Sequence, residues 1–220
     1  MLATAEKDYL ASARYVDSAH PAVMAFARHA TRGANSERDK ALALYGAVRD
    51  EIRYDPYIDF NNAENFRASG VLAARRGFCV GKAALLAACA RAVGISARVG
   101  YADVRNHMTS KRMHDLMQTD TFCWHSYTDL KIDGRWVKST PAFDAALCRK
   151  IGLPPLDFDG VTDSLFQAFD PQGQRHMEYL RYRGDFADVP YDTIIADFHK
   201  LYPRLFTAKI DGDFAAEAQL

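Results

Sequence analysis

The sequence predicts an α+β fold in which N-terminal helices pack on an antiparallel sheet. Three observations carry this expectation. Helical spacing of apolar residues dominates the first 93 positions. Strand-like alternation and a hairpin signal follow it. Strands and helices do not alternate in the way a repeating βαβ pattern would require.

The elements can be justified in order. Residues 22–31, "AVMAFARHAT", carry helical spacing. Ser36 with Asp39 forms an N-cap arrangement before "RDKALALYGAVRDEIR", where Leu42, Tyr45, Val48, Arg49 and Ile52 recur at helical spacing, all apolar except Arg49. "YDPYIDFNNAENF" breaks that pattern with Pro56 and several Asn, and reads as a loop. A helix then runs from about Cys79 to Val93, with a small-residue face of Ala83, Leu86, Ala87 and Ala90. Gly94 stands where a C′ glycine belongs. "ISARVGYADV" alternates as a strand, and "TFCWHSYTDLKIDGRWVKST" reads as a hairpin turning at Asp133-Gly134. Pro141 ends its second strand. "YDTIIADFHKLY" (191–202) predicts a late helix, and the tail "AKIDGDFAAEAQL" reads as loosely held.

Composition bounds the possible functions. The 220 residues are 49% hydrophobic, 25% charged and 12% aromatic, enough for a single domain spanning 1–220. Lys and Arg total 28 and so do Asp and Glu, so charge gives no reason to expect nucleic acid or an anionic membrane as partner. The opening residues carry charges at Glu6, Lys7 and Asp8 without an apolar core, unlike a secretory signal, and no apolar run approaches a membrane span. Cys79, Cys89, Cys123 and Cys148 show neither the paired spacing of a metal site nor the density of a disulfide scaffold. A reduced, cytoplasmic protein is the expectation. Oligomeric state is not legible.

The chemistry centres on "RRGFCVGKAALLAACARAVGISARVGYADV" (75–104). A thiol at a helix start meets unpaired backbone N–H groups and the positive end of the helix dipole, which favour a thiolate. Cys79 holds that position. The alternative is a buried, inert cysteine. His125, in "CWHSYTDL", is the strand-borne base that could take the Cys79 proton. His176 is a further candidate among the remaining histidines. Trp124 and Tyr127 flank His125 as cleft or core residues, and Cys123 would share the His125 strand face. The segment 106–117, "NHMTSKRMHDLM", is either a lid or a solvated surface helix.

Taken together, the helix-start Cys, the Ala/Leu-rich helix, the "RAVGISARVGY" strand and "WHSYTDLKIDGRWVKSTP" resemble the transglutaminase-like domain family, of the papain-like cysteine-protease fold class. The resemblance spans about residues 38–145 and leaves 146–220 as a subgroup-specific extension. It implies Cys79 as nucleophile and His125 as general base. It also implies a cysteine-dependent acyl transfer on a peptide or protein amide, with hydrolysis favoured over transamidation and no cofactor or metal. The family's third residue is the Asp of W-V-x-x-D-P-T. Here "RWVKSTPAFD" places Thr140 at that position, with Asp144 four residues on. Either side chain could orient His125, Asp144 with the advantage of charge. A side chain upstream of the nucleophile, Tyr57, Asn61 or Asn62, is expected to complete an oxyanion hole. The missing Asp also permits a second reading, a catalytically weak binding or scaffold domain.

Overall fold

Pro21–Ala30 forms helix α1, with proline at its first turn and His20 Nδ1 accepting the Ala22 N–H at 3.3 Å. The capping box predicted at Ser36 is made. Asp39 N–H donates to Ser36 Oγ and Ser36 N–H to Asp39 Oδ2, opening α2, Glu37–Glu51. These and the following elements come from a computed structural model that describes residues 7–107, 109–166, 177–208 and 212–217.

Two short strands, β1 (Arg53–Tyr54) and β2 (Arg76–Gly77), pair in parallel across a loop, a short 3₁₀ helix (Ala63–Phe66) and helix α3 (Ala68–Ala74). This pairing delivers the chain directly into helix α4, Cys79–Ala92. Val93 caps α4, and Gly94 takes the left-handed conformation (φ +87°) that its C′ position needs.

The small-residue face expected of α4 is not confined to one side. Every residue from Val80 to Arg91 is buried, so the helix runs through the centre of the core. Its small side chains allow close packing. A Cβ placed on Gly81 would lie 2.6 Å from the Asn65 carbonyl oxygen. Lys82 is also fully buried, its Nζ donating to the carbonyls of Arg49 and Ile52 at the end of α2. Burial pushes its ammonium down to about 7.

The sheet lies against α4. β3 (Ala97–Asn106), β4 (Thr121–Ile132), β5 (Arg135–Ser139) and β6 (Met177–Phe186) stand in the order β5-β4-β3-β6, antiparallel throughout. The β4–β5 hairpin turns at Asp133 and Gly134, both with positive φ (50° and 79°), as the Asp-Gly pair predicts. Thr128 Oγ1 on β4 donates to the Ala83 carbonyl at 2.9 Å and ties sheet to helix.

Residues 146–220 are more than an appendage to this core. They supply β6, which pairs with β3, and α7 (Tyr191–Leu201) and α8 (Arg204–Thr207), which close over the same end of the sheet as α5 (Lys111–Met117). A further helix, α6, spans Ala145–Lys150. Part of the tail is docked, contrary to expectation. In α9 (Phe214–Glu217), Phe214 is buried against Tyr54 and Tyr57, and Glu217 bonds Arg112 and the Tyr57 hydroxyl. No helix among the described residues is long and apolar enough to cross a membrane.

Candidate active site

Cys79 is the first residue of α4, fixed there by the Asp55 N–H bond to the Gly77 carbonyl at 3.0 Å. His125 pairs with Ala102 on β3. The two side chains line one cavity, together with Tyr54, Phe78, Phe122 and Trp124. Among the described residues no hydrogen bond joins Cys79 to His125, and His125 Nε2 is buried without a hydrogen-bond partner.

The electrostatics differ from the expectation of a stabilised thiolate. Burial pushes the Cys79 thiol up to about 11, although the backbone N–H groups of Ser126, Val80 and Cys79 face the sulfur and pull the other way. Desolvation outweighs the helix terminus here. Burial likewise holds the His125 imidazole down at about 4, with the Phe166 and Tyr179 rings 5.8 and 6.2 Å away. The resting pair is therefore a neutral thiol and a neutral imidazole lining one cavity. Even so, Cys79 keeps contact with solvent through the cavity, whereas Cys89 and Cys148 are buried.

The strand carrying His125 is not regular. Between the pairs Ala102–His125 and Val104–Phe122, β4 carries one more residue than β3, which makes a bulge. Trp124 sits in it with φ +63°, a conformation that is costly for a bulky side chain. The bulge turns four consecutive residues, Phe122 to His125, toward the cavity, where strict alternation would present two. Three polar contacts hold Trp124. Its backbone N–H donates to Asp103 Oδ1 at 3.1 Å, its Nε1–H donates to Asp197 Oδ2 at 2.9 Å, and the Arg183 guanidinium lies 4.5 Å from its ring centroid. Arg183 also bridges Asp103 and Asp197.

The hydrogen bond expected from His125 to Asp144 or Thr140 is not made. Asp144 caps α6: its Oδ1 accepts the Leu147 N–H and its Oδ2 the Tyr54 N–H, both at 2.9 Å. Each carboxylate oxygen thus serves a backbone amide, as an N-cap residue does. Thr140 is buried, and its Oγ1 makes no aligned hydrogen bond, although the Tyr179 phenol lies beside it.

The upstream candidates are likewise engaged elsewhere. The Tyr57 hydroxyl contacts Ser110 Oγ at 2.8 Å and donates to Glu217, Asn62 caps the 3₁₀ helix, and Asn61 is exposed. Tyr54 lines the cavity in their place. Its phenol is held well above its ordinary range, first by burial and then by the proximity of Cys79. Nothing in the local sequence distinguishes Tyr54 from Tyr57; the β1–β2 pairing makes the choice. His176 lies outside the described residues.

The family model of the transglutaminase-like superfamily matches residues 24–141. Among solved structures, the chain is similar to a candidate cysteine protease from Cytophaga hutchinsonii (21% identity, 64% of this chain and 43% of that one, TM-score 0.48). It is also similar to a candidate protease from Parabacteroides distasonis ATCC 8503 (17% identity, 62% of this chain and 25% of that one, TM-score 0.38). The chain spans less than half the length of either. Among curated proteins nothing matches it. Because the family match covers more than half of the chain and includes both Cys79 and His125, the protein belongs to the transglutaminase-like superfamily.

Proposed function

We propose that the protein is a cysteine-dependent acyl-transfer enzyme acting on a peptide or protein amide. The observation that carries this reading is the shared cavity of Cys79 and His125, with backbone N–H groups facing the sulfur. From the neutral pair, His125 takes the Cys79 proton as the sulfur attacks the carbonyl carbon. The Cys79 backbone N–H and the Tyr54 phenol hold the developing oxyanion. His125 passes its proton to the departing amine, which leaves a thioester on Cys79. A water molecule, deprotonated by His125, then attacks the thioester, releasing the acid and restoring the thiol.

Hydrolysis is favoured over transamidation in this proposal because water, as acyl acceptor, needs no binding site of its own. A second reading, a catalytically weak binding domain, draws on one observation: among the described residues His125 Nε2 has no acceptor to stabilise an imidazolium. Turnover of a peptide-amide library by the wild type, Cys79→Ala and His125→Ala separates the two. Turnover that both substitutions abolish supports the enzyme; wild-type turnover no faster than that of the two variants supports the binding domain.

A further inference from the structure

The cavity beside Cys79 and His125 has a composition that bears on its substrate. Met113 and Met117 of α5, Phe122 of β4, and Phe198 and Leu205 from α7 and α8 form its walls. No Asp, Glu, Lys or Arg among the described residues lines it. Five of its residues, Phe143, Met177, Phe198, Tyr202 and Leu205, follow residue 141, so this part of the enclosure lies beyond the family match.

Size and polarity narrow the occupant. The cleft encloses about 630 Å³ with solvent at its mouth included, of which about 60 Å³ is open to the centre of a water molecule. That enclosed space is small, on the scale of one side chain rather than a length of peptide. A glutamine carboxamide would meet few polar side chains there, Asn106, Tyr54, His125 and Tyr202 among thirteen carbon- or sulfur-rich ones and Cys79 itself. The Tyr202 hydroxyl already donates to the Thr121 carbonyl and accepts the Cys123 N–H, both at 2.8 Å. A desolvated amide or charge without partners is strongly disfavoured, whereas an apolar group gains by leaving water.

We propose that this cavity is the acyl-side specificity pocket of the enzyme and takes one large uncharged apolar side chain, of phenylalanine, leucine or methionine type, rather than glutamine. The inference rests on the acyl-transfer reading above. It names the group next to the scissile carbonyl, which that reading leaves open.

The test uses N-acetyl-aminoacyl acyloxymethyl ketones bearing Phe, Leu, Ala, Gln, Asp or Lys side chains, with adducts on the full chain followed by intact mass. Cys79 Sγ displaces the probe carboxylate to form a thioether, and the thiol proton leaves with the released carboxylic acid. The Phe and Leu probes are expected to label Cys79 at least 10-fold faster than Ala or Gln, and at least 100-fold faster than Asp or Lys. In Met117→Lys, the ratio of Asp-probe to Phe-probe rate should rise at least 10-fold. In Phe122→Ala, at a half-buried position, the Phe-to-Leu ratio should rise, and this variant serves if the first does not fold. Labelling of Cys79 at rates indifferent to the side chain overturns the pocket while leaving the acyl-transfer reading standing. Failure of every probe, together with iodoacetamide labelling of Cys79 no faster than that of Cys123, overturns both.

Discussion

Asp103 accepts the backbone N–H of Trp124 at 3.1 Å inside the bulge that immediately precedes His125. A left-handed tryptophan persists only where its surroundings hold it, and Asp103, Asp197 and Arg183 do so from three sides. Removing the acceptor should release the bulge and misdirect His125. Asp103→Ala is expected to cost about 2 kcal/mol in urea melts, from a lost charged hydrogen bond, and to lower turnover by about 10-fold or more. Asp103→Asn keeps an acceptor and should recover most of the turnover. Equal turnover in the Ala and Asn variants would show that the bulge does not depend on this contact.

Asp144 holds structure, through the amides of Leu147 and Tyr54. Asp144→Ala removes the cap of α6 and the acceptor of the Tyr54 N–H, and should destabilise the protein by about 1–2 kcal/mol. Asp144→Asn should restore much of that stability, since Asn also caps helices. The alkylation rate of Cys79 in folded protein, measured by timed iodoacetamide quenching and mass spectrometry, should change less than about 3-fold in Asp144→Asn. A larger fall in that variant, with stability retained, would return the carboxylate to the catalytic apparatus.

The buried imidazole makes stability depend on pH. His125 titrates at about 4 in the fold against 6.5 for an unperturbed histidine. Between these values the unfolded chain holds a proton that the folded protein lacks. Stability is therefore fully present above pH 6.5 and is lost as the pH falls toward 4, by about 2 kcal/mol at pH 5. Urea melts at pH 7 and pH 5 should show that loss in the wild type and a correspondingly smaller one in His125→Gln. An identical loss in both proteins would place the titrating group elsewhere.

Gly81 lies two residues past the nucleophile with the Asn65 carbonyl oxygen and Val71 in the space a methyl group would need, at 2.6 and 2.7 Å. Helix propensity alone would make Gly81→Ala stabilising by about 1 kcal/mol. The backbone contact should dominate, giving a net loss of about 1–3 kcal/mol by thermal or urea unfolding. A raised melting temperature would show that the 3₁₀ segment yields easily.

Features encoded within a few residues were legible in the sequence: the Ser36–Asp39 box, Gly94, the Asp133-Gly134 turn, and Cys79 at a helix start. The pairing of β6 with β3 was not, because it joins residues some eighty positions apart and edge strands carry a weak pattern. The bulge was missed for a different reason. Period-two alternation cannot register an inserted residue, so Phe122 was not expected at the cavity with Cys123 and His125, and Trp124 stayed open between cleft and core. Charge suggested Asp144 as the histidine's partner, yet the amides of Tyr54 and Leu147 claim both its oxygens. The depressed thiol pKa expected of a helix start took no account of burial, which the sequence of α4 alone does not reveal.

The ammonium of Lys82 bonds two carbonyls of the α2 terminus one helical turn past Cys79, while Thr128 grips the opposite side of the same turn from β4. In mechanical terms α4 is the anvil of the molecule, clamped between helix and sheet and unable to slide without breaking buried bonds. The opposite wall is fastened differently, α5 to α9 by the exposed pair Arg112–Glu217 and to α8 by Arg204 on the Asp115 carbonyl. Amide exchange in α4 should then report only global unfolding, while α5 exchanges through local openings that leave the nucleophile in place. A group entering the cavity from its mouth therefore meets a thiol on the firmly held side and α5 on the other.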